Sequence, residues 1–403
     1  MIAEIKIGEL AHSSRGSFKI GPFGSSLKKE DLSNEGIPVA GIENILANQF
    51  IPRFRRFISA KKFAELSDYK IEPDDILIST MGTIGRAAIA PSNIGTVIID
   101  SHLFRMRLDT NRVFPPYLCY AINGYQGLKR QLKQMARGAI MDGLNTTILK
   151  ECSIPLFAVE KQKRVAAILD KVDRLRRQRR FAQTLSDSFL QSVFIKMFDV
   201  DKYASLPLVK LTSKNKGSFV NGPFGSDLLT TELVSQGVPV IYVRDIKESG
   251  YKRVSTVCVT KQKAKELEIC SVESADVLVA KIGDPPGIAA VYPKNQPKAI
   301  VTQDVIRIKP DLSIVAPEFL SAYLNSNRGK HVLRKIIIEG TRERFSLTQY
   351  KLLQVPVPPM PLQEKFADIV QKFERVRRQQ REATRQAEHL FQTLLHRAFR
   401  GEL

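Results

Sequence analysis

The sequence predicts an α+β fold: two tandem, pseudo-symmetric domains of mixed helix and strand, each followed by a long helix. Three observations predict it. The segment Glu160–Val200 carries one apolar stripe at helical spacing. The same stripe returns 201 positions later without a gap. Short runs rich in Val and Ile, separated by Gly, Pro and Asn turns, recur at nearly the same offset. A period this long marks a duplicated domain and not a solenoid.

The long segments are the clearest elements. Val165, Ile168, Leu169, Val172 and Leu175, then Leu185, Phe189, Leu190, Val193, Phe194, Met197 and Phe198, follow steps of three and four. No Pro or Gly interrupts the run after Pro155. One helix is the simplest reading, roughly 60 Å long at 1.5 Å per residue. Gln363, Phe366, Ala367, Ile369, Val370, Phe373, Val376, Leu390, Phe391, Leu394, Leu395 and Phe399 repeat the stripe. Matching seams of this kind pack as a coiled coil. Val165, Ile168, Leu169, Val172, Leu175, Phe366, Ile369, Val370, Phe373 and Val376 are the expected helix-pair interface.

The repeat extends through both globules. Gly16–Leu27 matches Gly217–Leu228, Gly36–Ile45 matches Gly237–Ile246, and Asp75–Thr80 matches Asp276–Lys281. Ser101–Arg107 matches Gln303–Lys309 at an offset of 202, so one residue is inserted near the Gly82/Gly283 turn. Strands are expected at Ile37–Ile42, Ile76–Thr80, Arg86–Ala90, Val97–Ile99 and Leu103–Leu108, and helices at Pro115–Asn123 and Tyr125–Ala136. The resulting division is residues 1–157, a first long helix 158–200, a second globule 201–358 and a second long helix 359–403. The copies diverge most at Asn44–Tyr69 against Asp245–Leu267, and at Arg137–Leu149 against Glu339–Tyr350. Two similar scaffolds with different surfaces suit two different targets.

The formal charge of +21 over 403 residues points to a polyanionic partner, nucleic acid before anionic membrane. No stretch reads as a signal peptide or reaches bilayer-spanning length. Cys119, Cys152, Cys258 and Cys270 form no CxxC pair and suit a reducing cytoplasm.

No catalytic set can be assembled. Asp284-Pro285-Pro286-Gly287 is similar to the Asp-Pro-Pro-aromatic turn of amino-methyltransferases, but Gly287 replaces the aromatic residue and no methyl-donor loop occurs. Gly16 and Gly21, like Gly217 and Gly222, have phosphate-loop spacing, yet Pro22 and Pro223 stand where the Lys is required. Pro73-Asp74 lacks a nuclease partner, and His389 and His396 lack a third metal ligand. The chain reads as a binder, with no catalytic residue and no metal site.

Candidate DNA-binding residues are therefore cations and neighbouring amides. The first globule offers Lys28, Lys29, Asn44, Arg53, Arg55, Arg56, Lys61, Lys62, Arg86, Arg137 and Asn145. The second offers Arg244, Lys252, Arg253, Lys261, Lys281, Gln303, Arg342 and Arg344. Cations neutralise phosphates, and a few beside Asn or Gln reach base edges. The helix arginines, Arg174–Arg180 and Arg375–Arg381, either shadow DNA or face an acidic partner.

Two variable globules, each followed by a helix of matching register, resemble the specificity subunit of type I restriction-modification enzymes. Ile154–Arg180, Val355–Gln380, Leu394–Leu403 and the GPFGS turns carry the resemblance, which covers essentially the whole chain. It implies two target recognition domains, each reading half of a bipartite, asymmetric site in double-stranded DNA. It implies that the helices pair antiparallel and set the spacer. Two modification (methyltransferase) subunits would dock and supply S-adenosylmethionine. A restriction/translocase subunit would bring ATP and Mg. The chain itself would hold no cofactor, touch no membrane and work in the cytoplasm. The rival expectations are a self-contained methyltransferase or nuclease, and a coiled-coil adaptor for protein or membrane.

Overall fold

The structure, a computed structural model, describes residues 3–14, 16–82, 85–135, 146–223, 225–338 and 343–403. The chain divides into two compact units, Met1–Arg180 with Ala383–Leu403, and Phe181–Glu382. Both divisions fall inside the long helices, Val159–Met197 and Met360–Phe399, because each unit's core takes one part of each helix.

Unit 1 is built on a four-stranded antiparallel sheet in the order Phe18–Ile20, Leu103–Met106, Ile76–Ser79, Ala87–Ile89. Ile76 and Ile78 enter one core cluster and Leu77, between them, enters another. The sheet is thus covered on both faces, which is why this strand reads as a continuous apolar run. A second sheet pairs Ile37–Ala40 antiparallel with Phe57–Ile58 and parallel with Ile98–Ile99. The helices Pro115–Gly124 and Gln126–Met135 follow.

Unit 2 repeats this plan. Its four-stranded sheet runs Phe219–Asn221, Val305–Ile308, Val277–Ala280, Ala289–Val291, and Val240 and Ile241 pair parallel with Ile300 and Val301. Val277 and Val279 enter one cluster and Leu278 the other. It also has a three-stranded sheet of Ile282–Gly283, Glu343–Phe345 and Ile337–Ile338. The expected strands and helices are present, with strands trimmed by one or two residues where turns take over.

Matched polar residues hold the frames. Gln162 is fully buried, accepts from Phe114 N at 2.8 Å and donates to the Phe157 carbonyl at 2.8 Å. Gln363 does the same with Ala316 N at 2.9 Å and the Pro358 carbonyl at 2.7 Å. Each ties the start of a long helix to its own globule. Asn123 and Asn325 bridge both backbone groups of Ala87 and Ala289 respectively. The GPFGS turns require glycine for space: a Cβ on Gly21 would lie 1.8 Å from the Asp100 carbonyl oxygen, and one on Gly222 would lie 2.1 Å from that of Val301.

Within unit 1, Val165 and Leu169 share a core with Phe391, Leu395, Ala398 and Phe399. Within unit 2, Phe194 and Phe198 share one with Phe366. Leu175 and Val376, two of the expected interface residues, are 39% and 47% exposed. Their neighbours Val172, Ile369, Val370 and Phe373 are half-buried, as is Ile168.

Candidate nucleic-acid interface

Each unit carries an open groove beside the turn that follows its parallel strand. That turn is held from beneath. In unit 1 fully buried Asn44 accepts from Gly41 N at 2.9 Å and donates to the Ile51 and Arg53 carbonyls at 2.8 and 3.0 Å. In unit 2 fully buried Asp245 accepts from Tyr242 N at 2.9 Å, Val254 N at 2.7 Å and Ser255 N at 2.8 Å. Asn44, expected at base edges, has its polar atoms committed to the loop. A buried amide without such partners would carry a large desolvation penalty, which explains its inward orientation.

The unit 1 groove is about 240 Å³ and is lined by Ile42, Glu43, Ile45, Ser79 and Arg86. Val243, Arg244, Ile246, Ala280 and Ile288 occupy the same repeat positions and line the unit 2 groove of about 720 Å³. The larger groove also takes in Tyr242, Lys247, Asp284, Asp304 and Glu343. The floor is shared and apolar. The polar lining is not.

In unit 1 Glu43 accepts from Arg56 Nη2 at 3.0 Å, and Arg56 Nη2 also donates to Asp100 at 2.8 Å. Burial disfavours the Arg56 charge, but Asp100 and Glu43 outweigh it and raise its pKa. His102 lies 3.4 Å from the same Asp100 oxygen. In unit 2 the guanidinium of Arg244 stacks on the Tyr242 ring at 4.8 Å and donates to Ser255 Oγ at 3.2 Å.

The other expected DNA-binding residues distribute as follows. Lys28, Lys29, Arg53, Arg55, Lys61, Lys252, Lys261, Gln303 and Arg344 are exposed. Lys62 is held by Asp31 at 3.5 Å and Glu65 at 3.0 Å. Arg253 donates to the Ser255 carbonyl at 3.0 Å. Lys281 is half-buried. Arg344 lies in the central strand of the sheet whose Ile282, Gly283 and Glu343 line the groove. Arg137, Asn145 and Arg342 lie outside the described residues.

Two helix arginines expected to face DNA or an acidic partner turn inward. Arg176 lies over the Phe391 ring at 3.7 Å and pairs with Asp173 and with Glu388. Arg377, at the same repeat position, is 4% exposed and bonds the Ser249 carbonyl. Glu43, Tyr242, Asp284, Asp304 and Glu343 line the grooves but were absent from the sequence-based set. Two signals lay inside the matched block Gly36–Ile45/Gly237–Ile246: Glu43 stands against Arg244 and Gly41 against Tyr242.

Among the described residues no group of three or more His, Cys, Asp or Glu is placed to hold a metal ion, and no helix is long and apolar enough to cross a membrane. Two repeated α+β units with unlike grooves define a protein that presents two different recognition surfaces. The family model for the type I restriction modification DNA specificity domain matches residues 3–180 and 231–387. The chain belongs to that family and carries the domain twice; its work is DNA recognition for a type I restriction-modification system.

Among curated relatives, it is 21% identical to the type I restriction enzyme StySPI specificity subunit of Salmonella potsdam, over 94% of this chain and 86% of that one. It is 20% identical to the EcoBI specificity subunit of Escherichia coli, over 94% and 83%. A putative MjaX specificity subunit of Methanocaldococcus jannaschii is 28% identical over 36% of this chain and 35% of its own length. In fold, the chain is similar to a solved chain from a type I R-M system (TM-score 0.56, 15% identity, 100% and 98% covered). It is also similar to the S subunit from M. genitalium (TM-score 0.55, 16% identity, 98% and 95% covered).

Proposed function

We propose that each unit reads one half of a bipartite, asymmetric DNA site, and that this chain supplies the address for subunits that supply the chemistry. The carrying observation is one frame, built twice, around grooves of different polar lining. Exposed cations such as Lys28, Lys29, Arg53, Lys252 and Lys261 neutralise phosphates and confer salt dependence, while groove residues select bases.

The long helices pair antiparallel as a coiled coil and set the spacer. Contacts inside each unit support this reading. In unit 1 Lys161 bonds the Gly401 carbonyl at 2.8 Å and Arg176 bonds Glu388 at 3.0 Å. In unit 2 Ser186 bonds Gln380 at 2.7 Å, and Phe189 stacks on Phe373 at 4.9 Å. Partner numbers rise on one helix as they fall on the other. Two modification subunits dock on the repeated halves with their S-adenosylmethionine, and a restriction/translocase subunit adds ATP- and Mg-dependent steps. The chain itself catalyses nothing and works in the cytoplasm.

Co-expression with the modification subunit in a methylation-free host, followed by single-molecule sequencing, tests this. A split motif with a methylated adenine in each half is expected. An unsplit motif, or methyl transfer by the isolated chain, would overturn it.

A further inference from the structure

We infer that Glu43 and Arg244, one repeat position in two units, are base-selecting residues: Glu43 accepts from the exocyclic amino group of cytosine or adenine, and Arg244 donates to the acceptor edge of guanine. The inference rests on the reading that each unit binds duplex DNA, and names the atoms that choose.

The first ground is that the position is fixed while its chemistry is inverted. Asn44 and Asp245 each close the turn by accepting from the amide three residues back, Gly41 or Tyr242, and the apolar neighbours Ile42/Val243 and Ile45/Ile246 keep the same places. A position needed only for folding has no reason to exchange a carboxylate for a guanidinium on one frame.

The second ground is that the exchange is concerted. Glu43 is steadied by Arg56, which is anchored on Asp100. That chain of charges needs Gly41, since a Cβ there would lie 2.1 Å from Arg56 Nη2 and 2.8 Å from an Asp100 oxygen. In unit 2 the equivalents of Arg56 and Asp100 are Val257 and Thr302, so the support for an acid is gone. Gly41 is replaced by Tyr242, whose ring now carries Arg244. Four positions change together, and each set presents one oriented polar group at the lip of a groove. Orientation before binding lowers the entropic cost of a specific contact.

The third ground is chemical fit. A carboxylate only accepts, and among base edges in the major groove it matches an amino group. A guanidinium only donates, in a fork that matches the two acceptors of guanine.

The test uses the full complex with its modification subunits and compares the methylated motif of E43Q and R244Q with that of the parent. Glu43→Gln keeps the shape and an acceptor for Arg56 while adding a donor. It should relax one base pair in one half of the motif, with roughly ten- to hundred-fold loss of discrimination there. R244Q should do the same at one base pair of the other half. Where a variant methylates too weakly to sequence, binding of the complex to duplexes permuted one base at a time reads the same preference. Unchanged base preference in both halves would overturn the proposal while the split motif stands. So would a uniform loss across sequences with a shallower salt dependence, the mark of a phosphate contact. A parent complex that yields no split motif would instead overturn the underlying reading.

Discussion

Arg377 of the second long helix donates from Nη1 to the Ser249 carbonyl at 2.9 Å, across 128 positions of sequence. Ser249 sits at the tip of the hairpin Ile246–Lys247/Gly250–Tyr251, and Ile246 and Lys247 line the unit 2 groove. Arg377 also bonds Glu374 at 3.0 Å. The helix thus fixes the edge of its own unit's groove. In unit 1 it is not the equivalent Arg176 but the next residue, Arg177, that reaches the equivalent hairpin, bonding Gln49 at 3.5 Å.

Replacing Arg377 by Met should destabilise unit 2 by about 1–3 kcal/mol, since a buried charge-assisted bond is lost and a carbonyl is left unmatched. Exposed Arg375→Met should stay within about 0.5 kcal/mol. Chemical denaturation of both variants checks this. Discrimination should weaken in one half-site only.

Asp276 gives unit 2 a pH dependence. Burial pushes its carboxyl up to about 6 from an ordinary 3.8, against the opposing pull of the Glu273 N–H, Arg307 and Lys309. In unit 1 Asp75 receives two bonds from Arg107, at 3.0 and 3.1 Å. The unit 2 equivalent, Lys309, turns to Glu273 at 3.1 Å instead. A raised carboxyl favours the neutral form in the fold. Its contribution is therefore complete below the unfolded value and is lost as pH rises through about 6. D276N should gain on the parent by roughly 2 kcal/mol between pH 4 and pH 7, since at 1.36 kcal/mol per pKa unit part of the loss has already occurred at pH 4. Unfolding curves across that range decide it.

Phe366 meets Phe194 at 5.6 Å and Phe198 at 5.4 Å, joining parts of both long helices inside unit 2. Phe366→Ala should cost about 3–5 kcal/mol. A double-mutant cycle with Phe194→Ala should show a coupling of about 0.5–1.5 kcal/mol. Phe181→Ala, at a side chain 65% exposed, serves as the control and should change little. Urea titration followed by circular dichroism gives all three numbers.

The duplicated frame was legible because alternation and helical spacing are local. Ile76–Ser79 and Val277–Ala280 announce themselves by their run of apolar residues, and the long helices by their stripe. Gln162/Gln363 and Asn123/Asn325 were visible as matches, but their role as backbone clamps needs partners up to 50 positions away. The site was harder to read. Arg56, Lys62, Arg176 and Arg377 look like surface cations in sequence, yet each has an acidic partner in the fold. Asn44 looks like a reader and is a staple. The divergent pair Glu43/Arg244 was in plain view inside a matched block, where only the groove reveals its position.

The spacer should follow helix length. Inserting two helical turns, seven residues, within Ala182–Gln191 and opposite it around Gln380 keeps the apolar stripe in phase. The added rise is about 10 Å, or about three base pairs at 3.4 Å each. Sequencing of the modified motif should show both half-sites intact and a longer gap. An unchanged gap would contradict the pairing.

The most direct measurement is an exchange of residues 1–157 for the corresponding domain of a relative with a different target, read by single-molecule sequencing of the methylated DNA. If each unit reads its own half, one half of the motif changes to that of the donor while the other half keeps its bases. A change in both halves, or in neither, would contradict the account.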